Sequence, residues 1–231
     1  MRHAKGLSFL AALAVIGAAP ALADDAIKAD ASVAPINPTI QVSRGDAWTY
    51  DLRDNVTGDL TGTVAIEVTK ASDVAIETRV TQHKRDTNAD SVSVEVFDAR
   101  WRLTDIGKTL FKPYNDATGV PTDLEVGKSW SFKDEADRKG STLKIEASGV
   151  GTVEAWERVT LPSGVAYDAF KIDVSLSSIA ANSRKHETHS VIWFAPSVNR
   201  FVKRVDETRV NGKLQNATEQ TLREYKPAPR P

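Results

Sequence analysis

Side chains that could carry chemistry are few and scattered in this sequence. The nearest approach to a metal motif is His186-Glu187-Thr188-His189. Thr188, Val191 and Ile192 favour a strand there, and residues three apart on a strand face opposite sides, so one ion could not easily take both histidines. The chain has no H-E-x-x-H motif and no Gly-rich phosphate loop. We therefore predict no metal site and no cofactor.

Acidic residues around Trp101 suggest one catalytic hypothesis. Asp98, Arg100 and Asp105 could form a buried charge cluster at a barrel mouth, and paired carboxylates are the machinery of glycoside hydrolysis. Acidic residues are plentiful in this chain, however, and no spacing singles out two of them. The sequence predicts no catalytic residue, and a hydrolase is the last of three functional hypotheses.

Five tryptophans give the most specific binding hypothesis. Each lies in a strand-like context, and a curled sheet with this much indole on its inner side could hold an apolar or glycan ligand. The alternative is an aromatic core, because tryptophan buries a large area per residue. The predicted ligand-binding residues are Trp48, Trp101, Trp130, Trp156 and Trp193.

The elements that must position these residues are strands. Between Gly164 and Val210 the chain reads as three successive strands, the first with apolar residues at every second position from Phe170 to Leu176. Pro196 lacks a ladder donor and so belongs in a corner between two strands. Asn211-Gly212 is a strong signal for a type I′ hairpin.

Shorter strands with the same period fill the rest of the chain. Val92, Val94 and Val96 alternate with polar residues, Gly149-Val150-Gly151 predicts a bend, and residues 104–125 predict a long connection or a short hairpin with a loop. Strands at this spacing without amphipathic helices predict an all-β fold, an antiparallel meander curled into an open or closed β-barrel.

One six-residue pattern occurs twice. Gly45 to Tyr50 and Gly127 to Phe132 share the form G-x-[AS]-W-[TS]-aromatic. In a strand, the tryptophan and the aromatic residue two positions later lie on the same face. The repetition suggests two related halves, residues 45–118 and 119–225, within one curved sheet.

The two ends of the chain differ from the middle. Residues 1–23 combine a basic start, an apolar run and Ala21-Leu22-Ala23, which together predict a signal peptide cleaved near Ala23. Residues 24–44 predict a flexible leader, residues 45–225 the β domain, and residues 226–231 a disordered proline-rich tail.

The composition narrows the compartment and the partners. The chain has no cysteine, hence no disulfide and no acylation site for a lipoprotein, and its net charge is −1. A near-neutral domain argues against a nucleic-acid partner. No run after the signal is long enough to cross a bilayer as a helix. We predict a periplasmic or secreted protein without an integral membrane span.

The chain resembles a loose group of uncharacterised bacterial periplasmic β-rich proteins. The resemblance rests on the G-x-x-W-x-aromatic strand at Gly127–Phe132 and on a Trp-aromatic-Ala-Pro corner followed by Val-Lys-Arg, here Trp193 to Arg204. Asn199 replaces the usual glycine after the corner, and asparagine tolerates left-handed φ nearly as well. The resemblance implies a barrel somewhat like the half-barrels of periplasmic lipoprotein carriers, and it implies no reaction.

Three hypotheses follow. The preferred one is a non-catalytic envelope protein whose concave sheet binds an apolar or amphipathic ligand such as a lipid tail. The second is an interaction module that docks another envelope protein through edge strands or the Pro196 corner. The third is the hydrolase. A contiguous apolar cavity favours the first, and facing carboxylates in a cleft favour the third.

Overall fold

The computed structural model describes residues 31–122, 124–140, 144–179 and 184–230, with the side chains of residues 113 and 114 left aside. The predicted signal peptide lies outside these residues. Within them, the chain forms twelve antiparallel strands that close into one barrel, which confirms the all-β prediction in its closed form. No helix in the described ranges is long and apolar enough to cross a membrane.

The strands follow one another around the barrel in chain order. They are β1 (Ala47–Asp54), β2 (Leu60–Ala71), β3 (Ile76–Lys84), β4 (Ala89–Phe97), β5 (Leu103–Ile106), β6 (Thr109–Asn115), β7 (Ser129–Arg138), β8 (Lys144–Thr160), β9 (Ala166–Ile179), β10 (Lys185–Ala195), β11 (Arg200–Val210) and β12 (Lys213–Lys226). Two short 3₁₀ turns, Asp116–Thr118 and Pro196–Val198, lie at the end of the barrel where β1 begins, which we call the lower end.

Closure comes from the pairing of β1 with both β2 and β12. Every one of the twelve strands therefore has a neighbour on each side, and the described part of the barrel has no unpaired edge strand. A free edge is what another chain needs for strand addition. The closed sheet thus removes the edge-strand form of the interaction hypothesis.

The inner face of the barrel changes character along its length. Near the lower end it carries buried aromatic and aliphatic side chains, for example Tyr50, Phe170 and Phe194. Toward the upper end the inward positions become polar, as in the paired row Thr188–Thr208. The described interior is thus apolar near the lower end and polar toward the upper end.

Strand β4 has the predicted alternation, with its valines on the outer side. Val92 and Val94 are 64% and 50% exposed and face outward, whereas Glu95 and Phe97 face inward. The alternation is real, but the valines lie on the outer side because this part of the interior is lined by polar groups. A period of two shows that two faces differ and does not show which of them is buried.

The two copies of the glycine-tryptophan pattern form the same local structure. Gly45 and Gly127 both have positive φ, and each N–H donates to the carbonyl of a fully buried valine, Val68 or Val153, at 2.9 and 2.8 Å. The patterned segments lead into β1 and β7, six strands apart. Each copy therefore begins a set of six strands, and the relation between the two halves stays a prediction.

Two loop predictions are resolved by the structure. Asn211 and Gly212 have φ of 50° and 79°, so both centres of the β11–β12 turn are left-handed as predicted. Residues 104–125 contain the short β5–β6 hairpin followed by a 3₁₀ turn and a loop, which is the second of the two alternatives. This loop crosses the lower end of the barrel.

The described parts of the two ends lie against the barrel. Ile40 and Val42, within the predicted leader, pack on the core, and Gln41 N–H donates to Asn199 Oδ1 at 3.0 Å. Ala228, within the predicted tail, is buried, and its N–H donates to Asp46 Oδ1 at 2.7 Å. Both segments help to cover the lower end.

The predicted bend at Gly149-Val150-Gly151 is wrong, because these residues lie in the middle of the 17-residue strand β8. The glycines instead make room for aromatic rings on the neighbouring strand. A Cβ at Gly151 would collide with the indole of Trp130, and one at Gly149 with the ring of Phe132. Bare backbone under a ring is a recognised way to pack aromatic residues across a strand pair.

We expect Gly151→Ala to destabilise the protein by about 1–3 kcal/mol, the usual range for overpacking. In a strand free of this contact the same change would stabilise by about 0.5–1 kcal/mol, so the sign is diagnostic. Urea unfolding measures it. Val150→Ala, on the exposed outer side of the same strand, is the control and should change stability little.

Candidate functional site

The corner between β10 and β11 is held by aromatic side chains from inside the barrel. Trp48 Nε1 donates to the carbonyl of Val198 at 2.9 Å, Trp101 Nε1 to that of Asn199 at 2.7 Å, and Tyr50 to that of Phe201 at 2.9 Å. Buried indole and phenol groups need such partners. Three carbonyls within four residues thus fix the course of the chain through the corner.

Asn199 in the corner and Trp101, which packs against the corner from the loop after β4, both have left-handed backbones. Asn199 has φ of 55°, which agrees with the prediction that it replaces a glycine. Trp101 has φ of 64°, an uncommon conformation for a bulky residue. Such conformations persist where the surroundings over-determine them and are found at ligand sites. Here the strained backbone turns the Trp101 indole into the barrel, where it is 3% exposed.

The corner delivers Arg200 into the barrel. Its side chain is 7% exposed, and its guanidinium carbon lies 4.1 Å from the ring centre of Trp101 and 5.2 to 5.6 Å from three further ring centres. Those rings belong to Trp48, Phe97 and Phe201. Within the described residues Arg200 forms no ion pair, and its Nε and Nη1 have no hydrogen-bond acceptor.

A cavity of about 340 Å³ lies inside the barrel next to this guanidinium. Its volume falls at the lower end of the range of small-molecule sites. Most of the cavity wall is apolar. Part of the wall comes from the loops at the lower end of the barrel. The lining residues are Leu52, Val64, Ile66, Val80, Gln82, Glu95, Phe97, Trp101, Leu103, Thr118, Gly119, Val120, Ile172, Ile192, Phe194, Arg200, Phe201, Arg204 and Gln220.

The other charged groups of the cavity wall, Arg204 and Glu95, have surroundings that differ from those of Arg200. Arg204 Nε donates to both oxygens of Asp206, at 2.9 and 2.7 Å, and Ser190 Oγ donates to the same carboxylate at 2.5 Å. Burial raises the pKa of Glu95, and the charges of Arg200 and Arg204 oppose that rise. Arg204 is thus neutralised locally, whereas Arg200 is not.

The tryptophans predicted to bind ligand divide into three groups. Trp48 and Trp101 are buried at the corner, and only Trp101 lines the cavity. Trp130 and Trp156 face inward elsewhere, Trp130 over Gly151 and Trp156 against Phe170 at 4.6 Å between ring centres. Trp193 pairs with the outward residues Lys171 and Lys203, and its Nε1 donates to Glu157 Oε1 at 2.6 Å.

The expectation that all five indoles share the inner side is therefore wrong for Trp193. It lies in the continuous apolar run Val191 to Phe194, which carries no alternation to show its face. Its ring is covered by Lys203 Nζ, 5.2 Å from the ring centre, on the outer surface. Trp48, by contrast, faces inward and holds the corner through its hydrogen bond to the carbonyl of Val198.

The other sequence candidates have structural partners. His189 faces outward with Nε2 2.6 Å from Asp173 Oδ2, and His186, three residues earlier on β10, faces the opposite side. Asp98 accepts from Arg102 Nε at 2.7 Å, and Asp105 from Lys139 Nζ at 2.6 Å. The structure does not bring Asp98 and Asp105 together as a catalytic pair, because each carboxylate is bonded to its own cation.

Residues of the cavity wall were missed by the sequence analysis. Arg200 and Glu95 each occupy an inward position of an alternating strand, where the pattern gives no warning of a buried charge. The only sequence signal was indirect: Arg200 lies directly after Asn199, within the corner motif.

A larger hollow of about 650 Å³ lies on the outer surface across β7–β11. Its floor consists of short side chains, with Ser131, Ser148, Ser175 and Ser177 around Gly149. It is an open groove with exposed charges at its margin, such as Lys133 and Arg209. We place the candidate site in the smaller inner cavity because its walls are buried and one of its charges is unpaired.

Comparisons with known proteins give the fold. No protein-family model matches the chain, and no curated protein matches it in sequence. Among solved structures, a candidate lipoprotein from Parabacteroides distasonis is 12% identical with a TM-score of 0.56, covering 84% of this chain and 100% of that one. A candidate exported protein from Bacteroides fragilis with a YmcC-like fold is 14% identical with a TM-score of 0.50, covering 81% and 98%. These similarities show a shared fold and agree with the resemblance to uncharacterised β-rich proteins at that level.

A second inward charge, Asp134 on β7, lies apart from this cavity. It is 7% exposed, and its Oδ2 has no hydrogen-bond partner. Burial, with a smaller contribution from the charge of Asp116, raises the pKa of Asp134 to about 6. The folded state therefore holds this proton more tightly than the unfolded chain does, and stability should fall as pH rises from about 4 to 6.

We expect Asp134→Asn to remove this loss of stability. The variant and the wild type should be similarly stable at pH 4, and the variant should be more stable by about 1–2 kcal/mol at pH 7 after allowance for solvent screening. Denaturant unfolding at both pH values measures the difference. In the control Asp137→Asn the trend should reverse, because a hydrogen bond from Lys112 lowers the pKa of Asp137.

Proposed function

We propose that this chain is a non-catalytic protein of the bacterial envelope whose barrel interior binds an apolar or amphipathic ligand. The observation that carries the proposal is the inner cavity, whose wall is largely aromatic and aliphatic and includes a few charged groups. Ligand sites have this character: mostly apolar, with a small number of polar groups that orient the guest.

Export is supported by two independent observations. The predicted signal peptide has a basic start, a short apolar run and an A-x-A site, and the absence of cysteine leaves no lipid attachment point after it. The structurally similar proteins from Parabacteroides and Bacteroides are described as a candidate lipoprotein and a candidate exported protein. We infer the same compartment for this chain, as an unanchored protein with its N-terminus near Asp24.

The competing hypotheses receive less support from the described residues. At the Pro196 corner the apolar side chain of Val198 packs inward and is 3% exposed, which leaves the half-buried Pro196 and the exposed Ser197 at the surface. The carboxylates around Trp101 hold cations and loop N–H groups, as when Asp98 Oδ1 accepts from the N–H groups of Arg100 and Arg102 at 2.9 Å each. Neither arrangement offers a better account of the cavity than ligand binding.

The neutral fluorescent probe N-phenyl-1-naphthylamine tests the proposal, because its emission rises on entering an apolar site. We expect saturable binding by the purified protein. Val80→Phe should weaken that binding by at least about tenfold, since Val80 lines the cavity and the added ring would occupy it.

The matched control is Thr81→Phe, which places the same ring on the outer side of β3. It should leave probe affinity unchanged while sharing any general effect of a larger side chain on the strand. Equal loss of binding in both variants, or no saturable binding by the wild type, would contradict the proposal. Thermal unfolding of both variants establishes that they are folded.

A further inference from the structure

Arg200 is a buried cation that forms no ion pair with the described residues. Arg200 is 7% exposed, and it offers five N–H donors that cannot be removed by deprotonation at physiological pH. Its Nε and Nη1 account for three of those donors, and none of the three has an acceptor. Burying a charge without hydrogen-bonding partners is strongly unfavourable, so buried charges in proteins are normally paired.

The surrounding rings stabilise the charge without satisfying its donors. Four ring centres lie within 5.6 Å of the guanidinium carbon, close enough for cation–π attraction. A ring face attracts positive charge but gives no oxygen acceptor to the N–H groups. The four rings therefore help to hold Arg200 in place and leave the N–H groups of Nε and Nη1 for another group.

Neighbouring side chains satisfy the hydrogen-bonding capacity of Arg200 only in part, because Tyr50 hydrogen-bonds the guanidinium while Nε and Nη1 have no acceptor among the described residues. The Tyr50 hydroxyl lies beside the guanidinium and donates its proton to the carbonyl of Phe201. Glu95 is the acidic group of the cavity wall, it forms no ion pair with Arg200, and burial raises its pKa. Asp206 is committed to Arg204 and Ser190.

We propose that Arg200 binds the anionic head group of the ligand, an oxyanion such as a carboxylate or a phosphate ester, while the apolar wall of the same cavity holds the tail. This inference rests on the proposed function and narrows it to an acidic amphiphile. The tail would contact the side chains that continue the cavity from the guanidinium, among them Ile192, Val80 and Phe97. A guanidinium is the side chain best suited to oxyanions of this kind.

Decanoate and decanol test the inference, because they share one tail and differ in the charge of the head. Isothermal titration at pH 7.5 and below the micellar concentration should show decanoate binding about 10- to 100-fold more tightly than decanol, the range expected for charge-assisted hydrogen bonds. Decyl phosphate should share this advantage. Inorganic phosphate alone should bind far more weakly than decyl phosphate.

Variants separate the charge of Arg200 from its structural role. Arg200→Met should reduce the decanoate-to-decanol affinity ratio to about one, and Arg200→Lys should keep part of it. Glu95→Gln should keep or raise the ratio, because it removes a carboxyl group that repels an anionic head group whenever it is ionised, and this variant stays informative if Arg200→Met fails to fold. Arg79→Met, which removes an exposed arginine from the outer side of β3, is the control and should leave the ratio unchanged.

The outcomes distinguish this inference from the proposed function. If N-phenyl-1-naphthylamine and decanol bind but decanoate binds no more tightly, the acidic-amphiphile inference is wrong and the apolar site stands. If no probe binds, the proposed function itself is wrong. Inorganic phosphate that binds as tightly as decyl phosphate would show a site for a free anion and would overturn the role of the tail.

Discussion

The rest of the structure depends on the hydrogen bonds that join three buried aromatic side chains to the β10–β11 corner. Trp48 and Tyr50 come from β1, and Trp101 from the loop after β4, so the corner is tied to parts of the chain far away in sequence. Because these bonds end on the carbonyls of residues 198, 199 and 201, they leave residue 200 little freedom. Its side chain enters the barrel, where Trp48 and Trp101, two of the rings that hold the corner, lie with Phe97 and Phe201 around its charge.

Closure of twelve strands makes such a cavity physically reasonable. A barrel of about eight strands is just wide enough for side chains to fill its interior, and wider barrels need other elements or leave space. Here the lower end is covered by the loop at residues 116–122, by the corner and by the segments around Ile40 and Ala228. The 340 Å³ that remain lie between this cover and the polar upper interior. Apolar and charged groups therefore meet at one place.

Much of the fold could be predicted from sequence, and the site largely could not. Period-two patterning, the Asn211-Gly212 turn and the left-handed role of Asn199 are local properties, so the sequence shows them directly. The face on which a strand buries its residues is a property of the whole barrel. Val92 and Val94 alternate with polar residues as predicted and yet lie on the outer side, and Trp193, in a continuous apolar run, was expected on the inner side and lies on the outer one. Arg200 was missed because an arginine in an alternating strand ordinarily faces solvent, and because its inward course depends on contacts more than 90 residues away in sequence, such as the bond between Trp101 and Asn199.

A crystal structure with 10-bromodecanoate would locate both ends of a bound acidic amphiphile, since anomalous scattering from bromine places the tail independently of the protein atoms. We expect one bromine site inside the barrel among the cavity side chains, with a carboxylate oxygen at about 2.7–2.9 Å from Nε or Nη1 of Arg200. Bromine found only on the outer surface, for example in the groove across β7–β11, or a carboxylate directed away from Arg200, would contradict this expectation.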